Sequence, residues 1–291
     1  MKKRLVFVHG RAQENKDPVA LKAEWIAAWE RGLQQCGLSM PIGDGQIELP
    51  YYGDKLYKEV YGLPADEVIW RGEKLEENER LFIRSILDDV VAQAGITSDE
   101  VDSHAGSGVI ERGIQNWDFT LSVARAIDNR FGPLASVAII TMAEDVHSYL
   151  QKSTVQTLVD SIVKPAFASG EQTIVVGHSL GSVVAYKILE KFACPQGCTV
   201  PLFLTLGSPL AINHIRKLLA PIKRPGCVGK WINARDKSDA VALYPLQAPH
   251  FSVEPAVENY SEVRNSTENR HGIVGYLDDP EIARILHDAL I

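Results

Sequence analysis

In this sequence of 291 residues, Gly177-His178-Ser179-Leu180-Gly181 is the segment whose residue types and spacing point most directly to covalent chemistry. Ser179 stands between two glycines, with the apolar run TIVV entering and SVVAYKIL leaving. That is the form of a strand-turn-helix elbow, in which the glycines allow a tight turn that lifts the hydroxyl above a sheet. The following helix would then direct its positive amino-terminal end at the serine. The bland alternative is a turn whose glycines serve packing alone.

A serine hydroxyl is a weak nucleophile until a base takes its proton and an acid orients that base. In elbow architectures the acid and then the histidine follow the serine along the chain. The downstream histidines are His214, His250, His271 and His287. His271 is favoured because it lies in a loop segment just before the closing helix, free to return over the elbow. His214 precedes the acid, and His287 falls within a helix. Asp239 is the favoured acid, since Ala240 and Val241 behind it anchor it in apolar packing. Asp236 is the alternative acid; between Arg235 and Lys237 it reads as solvated, and its bland role is to cap the loop or form an ion pair. An oxyanion needs preorganised N–H donors, and the backbone N–H groups of Leu180 and Arg11 are the candidates, with Gly10 turning the chain at the end of the first strand. His178 reads as a packed or hydrogen-bonded neighbour rather than a base, with its side chain pointing away from Ser179.

Several elements must position these residues. Arg4 to Val8 reads as a buried strand, Pro18 to Gln35 as an amphipathic helix ended by Gly37, and Gln46 to Tyr51 as a second strand, a unit that implies a parallel sheet. Strands are expected again at 173–176, 202–206 and 228–232, with helices at 180–192 and 280–289. Between these, residues 53–135 form a charged, helix-prone insertion, with an amphipathic helix around Leu81 to Val91, a break at Gly106 to Gly108 and a helix from Phe119 to Phe131. One further helix is expected to carry Val146 through Ile162. The chain reads as one α/β domain over 1–291 with a helical cap or lid at 53–135.

With 45% apolar and 23% charged residues, the composition is that of a packed globular protein rather than a disordered one. A net charge of -7 and the lack of a long basic run argue against a nucleic-acid groove. The apolar run after Lys2-Lys3-Arg4 is too short for a signal-peptide core, and no stretch is long enough to span a bilayer. Cys36, Cys194, Cys198 and Cys227 are therefore read as reduced thiols of a cytoplasmic protein, and Cys194 and Cys198 lack the second pair of ligands that a zinc site needs.

The strand ending in His9-Gly10, GHSLGSVVAYKIL at 177–189, LGSPL at 206–210, WINARDKSDAVA at 231–242 and the late His271 together resemble the α/β-hydrolase superfamily, in particular its intracellular lipase and esterase-like branches. The resemblance covers about the first 50 residues and those after 140, not the insertion. It implies a mostly parallel sheet flanked by helices, a covalent acyl-enzyme and neither metal nor organic cofactor. One departure is that the first strand begins near residue 4, without the family's usual amino-terminal antiparallel pair.

The expected activity is that of a serine ester hydrolase acting on a small-molecule acyl ester or lipid. A thioesterase, amidase or acyltransferase would use the same residues. The rival from another class is a non-catalytic scaffold whose cap supplies a homo-oligomer or protein-partner interface. Peripheral membrane contact is compatible with either.

Overall fold

The computed structural model describes residues 2–62, 75–104, 117–167, 170–268 and 270–291. Within them, β1 (Lys3–Val8), β2 (Ile47–Glu48), β3 (Gln172–His178), β4 (Val200–Leu206), β5 (Val228–Ala234) and β6 (Glu258–Tyr260) form one sheet in the order β2-β1-β3-β4-β5-β6. Every pairing is parallel. The chain leaves β1 toward β2 on one side and later resumes with β3 on the other. The order therefore reverses between β1 and β3, and the crevice beyond their carboxyl ends is where open α/β sheets place ligands.

Alternation along the strands loads both faces of the sheet. Leu5 and Phe7 share one core with Ile174, Val176 and the helices α1 (Pro18–Gln35), α10 (Val274–Leu277) and α11 (Pro280–Leu290). Asp17 caps α1 by accepting from the Ala20 N–H at 2.8 Å, and Pro18 opens it. Trp29 then donates from its indole to the Ala283 carbonyl of α11. Val6, Val8 and Val175 face the opposite core.

That second core is built by α2 (Gly53–Tyr61), α3 (Glu77–Ala94), α4 (Ser98–Asp102), α5 (Trp117–Phe131), α6 (Ala135–Gln151), α7 (Ser153–Val163), α8 (Leu180–Ile188) and α9 (Asn213–Leu219). From the insertion, Ile83, Ile86, Leu87, Val90 and Ile127 are fully buried in the same cluster as Val183 and Val184 of α8. No helix among the described residues is long and apolar enough to cross a membrane.

Several expectations need correction. The second strand is two residues long instead of six, because Pro50 has no N–H to offer the ladder. The single helix expected through residues 146–162 is two, parted at Lys152, whose φ of -100° and ψ of 111° are extended. The helix after the elbow ends at Ile188 and continues as a π-turn over Leu189–Ala193. That turn brings Cys194 to the start of β5, where it forms a disulfide with Cys227 across a Cα separation of 5.0 Å. The reading of four reduced thiols therefore holds only for Cys36 and Cys198. The expected break at Gly106 to Gly108 lies outside the described residues.

Candidate active site

The elbow at Ser179 follows from what its glycines touch. A Cβ on Gly177 would sit 2.7 Å from Ser182 Cα, and one on Gly181 would fall on the carbonyl oxygens of Val8 and His9. The turn therefore packs its backbone directly against α8 and the end of β1, and only hydrogen side chains fit there. Ser179 itself has φ of 53° and ψ of -128°, a sparsely populated conformation that costs on the order of 1–3 kcal/mol. It is held by its N–H to the Leu206 carbonyl at 3.1 Å and by its own carbonyl, which accepts from the Ser182 N–H and hydroxyl. Its hydroxyl is buried and has no hydrogen-bond partner among the described residues.

Ser179 and His271 line one cavity of about 260 Å³ together with Arg11, His178, Ala138 and Thr267. His271 Nδ1 lies 2.8 Å from Asp239 Oδ2. With the carboxylate accepting, Nδ1 carries the proton and the lone pair remains on Nε2. Asp239 is 1% exposed. Burial alone would raise its pKa, but His271, the Tyr276 hydroxyl at 2.6 Å and the Val241 N–H at 2.9 Å outweigh burial and hold it below the usual carboxylate range. Tyr276 keeps its own proton, because burial and the adjacent Asp239 push its pKa well up.

Asp236 does not reach the imidazole. Contrary to the solvated reading it is buried, and it accepts from the N–H groups of Ser238 and Asn265, both at 2.7 Å. It ties the acid loop to the segment leading to His271. Of the other histidines, His214 lies against Asp89, His250 stacks on Tyr244, and His287 lies beside Asp288.

The end of β1 is fixed by contacts that no local pattern announces. Buried His9 accepts the Tyr52 N–H at Nε2, so its Nδ1 carries the proton and donates to the Gly10 carbonyl at 2.7 Å. The Tyr52 hydroxyl donates to the His9 carbonyl. Because a trans peptide sets its C=O and N–H in opposite directions, the bond from the His9 ring to the Gly10 carbonyl turns the Arg11 N–H away from that ring. A Cβ on Gly10 would lie 2.9 Å from that of Ser179, so the Gly10 backbone abuts the serine. Arg11 anchors the loop through its guanidinium, which donates to buried Asp145 of α6 at 3.0 Å. Burial pushes the Asp145 carboxyl up against the pull of Arg11. Neither the Arg11 nor the Leu180 N–H donates to another group among the described residues.

Of the two roles read for His178, packed or hydrogen-bonded, the second is the one observed. Its Nε2 donates to the His271 carbonyl at 2.8 Å, and the two rings lie 4.9 Å apart. Burial first, and then His271, lowers its pKa to about 3; burial lowers that of His9 to about 4. Both rings are neutral in the folded chain, whereas unfolded imidazoles protonate below about pH 6.5. Stability is therefore fully present above pH 6.5 and falls as the pH drops toward 4, by about 1.4 kcal/mol per pH unit for each ring. Denaturant unfolding of wild type and His178→Gln between pH 6 and 4.5 is expected to give a shallower pH slope in the variant, by about that amount. Parallel slopes would contradict the assignment of a buried neutral His178.

Among the described residues no group of three or more His, Cys, Asp or Glu side chains converges as a metal site would. No protein-family model matches the chain, and no curated protein matches it.

Proposed function

We propose that the protein is a serine hydrolase of carboxylic esters with the α/β-hydrolase fold, using Ser179, His271 and Asp239. The observation that carries this reading is that His271, hydrogen-bonded to buried Asp239, shares a cavity with a strained, elbow-borne serine. The parallel sheet, with its order reversing beside the elbow, is the architecture that such chemistry uses.

In the first half-reaction Ser179 Oγ attacks the acyl carbon while its proton passes to His271 Nε2. The carbonyl oxygen gains the negative charge, held by the N–H groups of Arg11 and Leu180. Asp239 stabilises the imidazolium without taking its proton. The C–O bond to the alcohol then breaks, the alcohol leaves with the proton from His271, and Ser179 remains acylated. Water repeats the sequence on the acyl-enzyme: His271 removes its proton, and the acid is released as the proton returns to Ser179.

The cavity of about 260 Å³ falls just below the range usual for drug-sized ligands, and Lys16, Glu24 and Gln13 share its lining with Ala138 and Ile273. Both features favour a short acyl group over a long lipid tail. Selectivity in this reading rests on Ala138 of α6, just beyond the 53–135 cap; none of the cap's described residues lines the cavity. The test is hydrolysis of p-nitrophenyl esters of graded acyl length by wild type and Ser179→Ala. Turnover highest for acyl chains of a few carbons, and absent in the variant, is expected. A preference for long chains would overturn the short-acyl assignment, and equal turnover in the variant would overturn the nucleophile.

A further inference from the structure

A second cavity, of about 650 Å³, shares no lining residue with the one at Ser179, yet it is lined from the two loops that carry Asp239 and His271. Arg235, Lys237 and Ser238 come from the segment immediately before Asp239, and Arg270 immediately precedes His271. The carboxyl ends of α3 and α5 close it, contributing Gln93 and Arg130. Four cations thus face one space, and among the described residues that line it there is no carboxylate. This occurs in a chain whose net charge is -7.

The cations are only partly engaged. Arg235 is half-buried and fixed by bonds from Nε to the Ser261 hydroxyl and from Nη1 to the carbonyls of Ala242 and Leu243. Arg270 donates from Nη1 to the Asn265 carbonyl and stands on a left-handed backbone, φ 56°, which a side-chain-bearing residue adopts only at a cost. Lys237 pairs with Glu262, but both partners are exposed and the pair is weak. Arg130 offsets the carbonyl end of α5. Like charges gathered around a cavity repel one another, and an anion entering it converts that repulsion to attraction. Guanidinium forks match phosphate oxygens in geometry. A single carboxylate would leave most of the four charges unmatched, whereas a phosphate carries about two charges and several acceptors. The volume exceeds that of the anion alone and lies within the range of small-molecule sites.

We propose that this cavity binds a phosphate-bearing small molecule through Arg130, Arg235, Lys237 and Arg270. The ligand bridges the loops that carry Asp239 and His271 to the ends of α3 and α5. The site is defined by its cations and does not depend on hydrolysis at Ser179. Two sources share this chemistry, a soluble phosphate ester and the headgroup of a phospholipid.

The test is calorimetric titration of the full chain, at fixed ionic strength in chloride, with inorganic pyrophosphate, glycerol 3-phosphate and dihexanoylphosphatidic acid below its micellar concentration. Saturable one-site binding of pyrophosphate is expected. It should weaken at least tenfold in Arg270→Gln and in Arg130→Gln, and stay unchanged in Lys55→Gln, which removes an exposed cation on α2. Either arm of the source comparison is consistent with the site. Tenfold tighter binding of the phosphatidic acid than of glycerol 3-phosphate assigns a lipid headgroup, and equal affinity assigns a soluble ester. The absence of saturable binding by all three probes would overturn the proposal. So would affinities in Arg270→Gln and Arg130→Gln equal to wild type, with both variants folded by circular dichroism.

Discussion

Replacing Ser179 or His271 with alanine is expected to lower kcat on the best ester by about 10⁴-fold or more, with little change in melting temperature for Ser179→Ala and a lower one for His271→Ala, which takes a partner from buried Asp239. Nucleophile and base act as one unit, so losing either removes the covalent route and leaves only what substrate positioning and the oxyanion donors contribute. Ser179 makes no side-chain hydrogen bond among the described residues, so its truncation leaves no broken partner behind. The two carboxylates of the acid loop should then separate by type of damage. Asp239→Asn removes the charge that orients His271 Nδ1 and is expected to reduce kcat by roughly 10⁴-fold. Asp236→Asn alters an acceptor of two backbone N–H groups, so it should cost about 1–3 kcal/mol of stability and keep kcat within about tenfold of wild type. Steady-state kinetics beside thermal melts distinguishes the two. A variant at Asp236 more impaired in kcat than one at Asp239 would exchange their roles.

Gly181→Ala is expected to abolish the fold or to destabilise it by more than about 4 kcal/mol, a large share of the 5–15 kcal/mol that usually holds a domain together. The added methyl group would fall on the carbonyl oxygens of Val8 and His9, both backbone atoms at the end of β1. A flexible side chain could move aside, but these oxygens cannot without separating α8 from β1. Gly10→Ala is the informative companion. There the methyl group meets Ser179 Cβ at 2.9 Å and the His178 carbonyl at 3.1 Å, so activity should suffer more than stability. Soluble yield and thermal melts check both variants. A Gly181→Ala protein that melts with wild type would show that the packing at the elbow is looser than described.

What could be read from sequence was local. The helix at Pro18–Gln35 was legible because its apolar spacing and the terminating Gly37 agree, and the elbow because its glycines flank a serine between a strand and a helix. The edge strand β6 was missed because Glu258-Asn259-Tyr260 has no apolar alternation to reveal it. Nor does one apolar stripe reveal that the chain breaks at Lys152. Contacts across long separations left no signal at all. Arg11 meets Asp145, Tyr52 meets His9, Cys194 meets Cys227, and His178 donates to the carbonyl of His271. Tyr276, which donates to Asp239 Oδ2 while the Val241 N–H donates to Oδ1, lies in no motif that would have singled it out. The burial of Asp236 was hidden by its charged neighbours, whose side chains run elsewhere.

If Ser179 is an activated nucleophile, it will be labelled covalently by an electrophile that mimics an acyl centre. Folded protein would be treated with a fluorophosphonate at neutral pH, and the adduct measured by intact mass and located by peptide mapping. One adduct per chain is expected, on the peptide carrying Ser179, lost in Ser179→Ala and strongly slowed in His271→Ala. A folded wild-type chain that takes up no label, or takes it up equally in Ser179→Ala, would contradict an activated Ser179 and favour a chain that keeps the fold for binding alone.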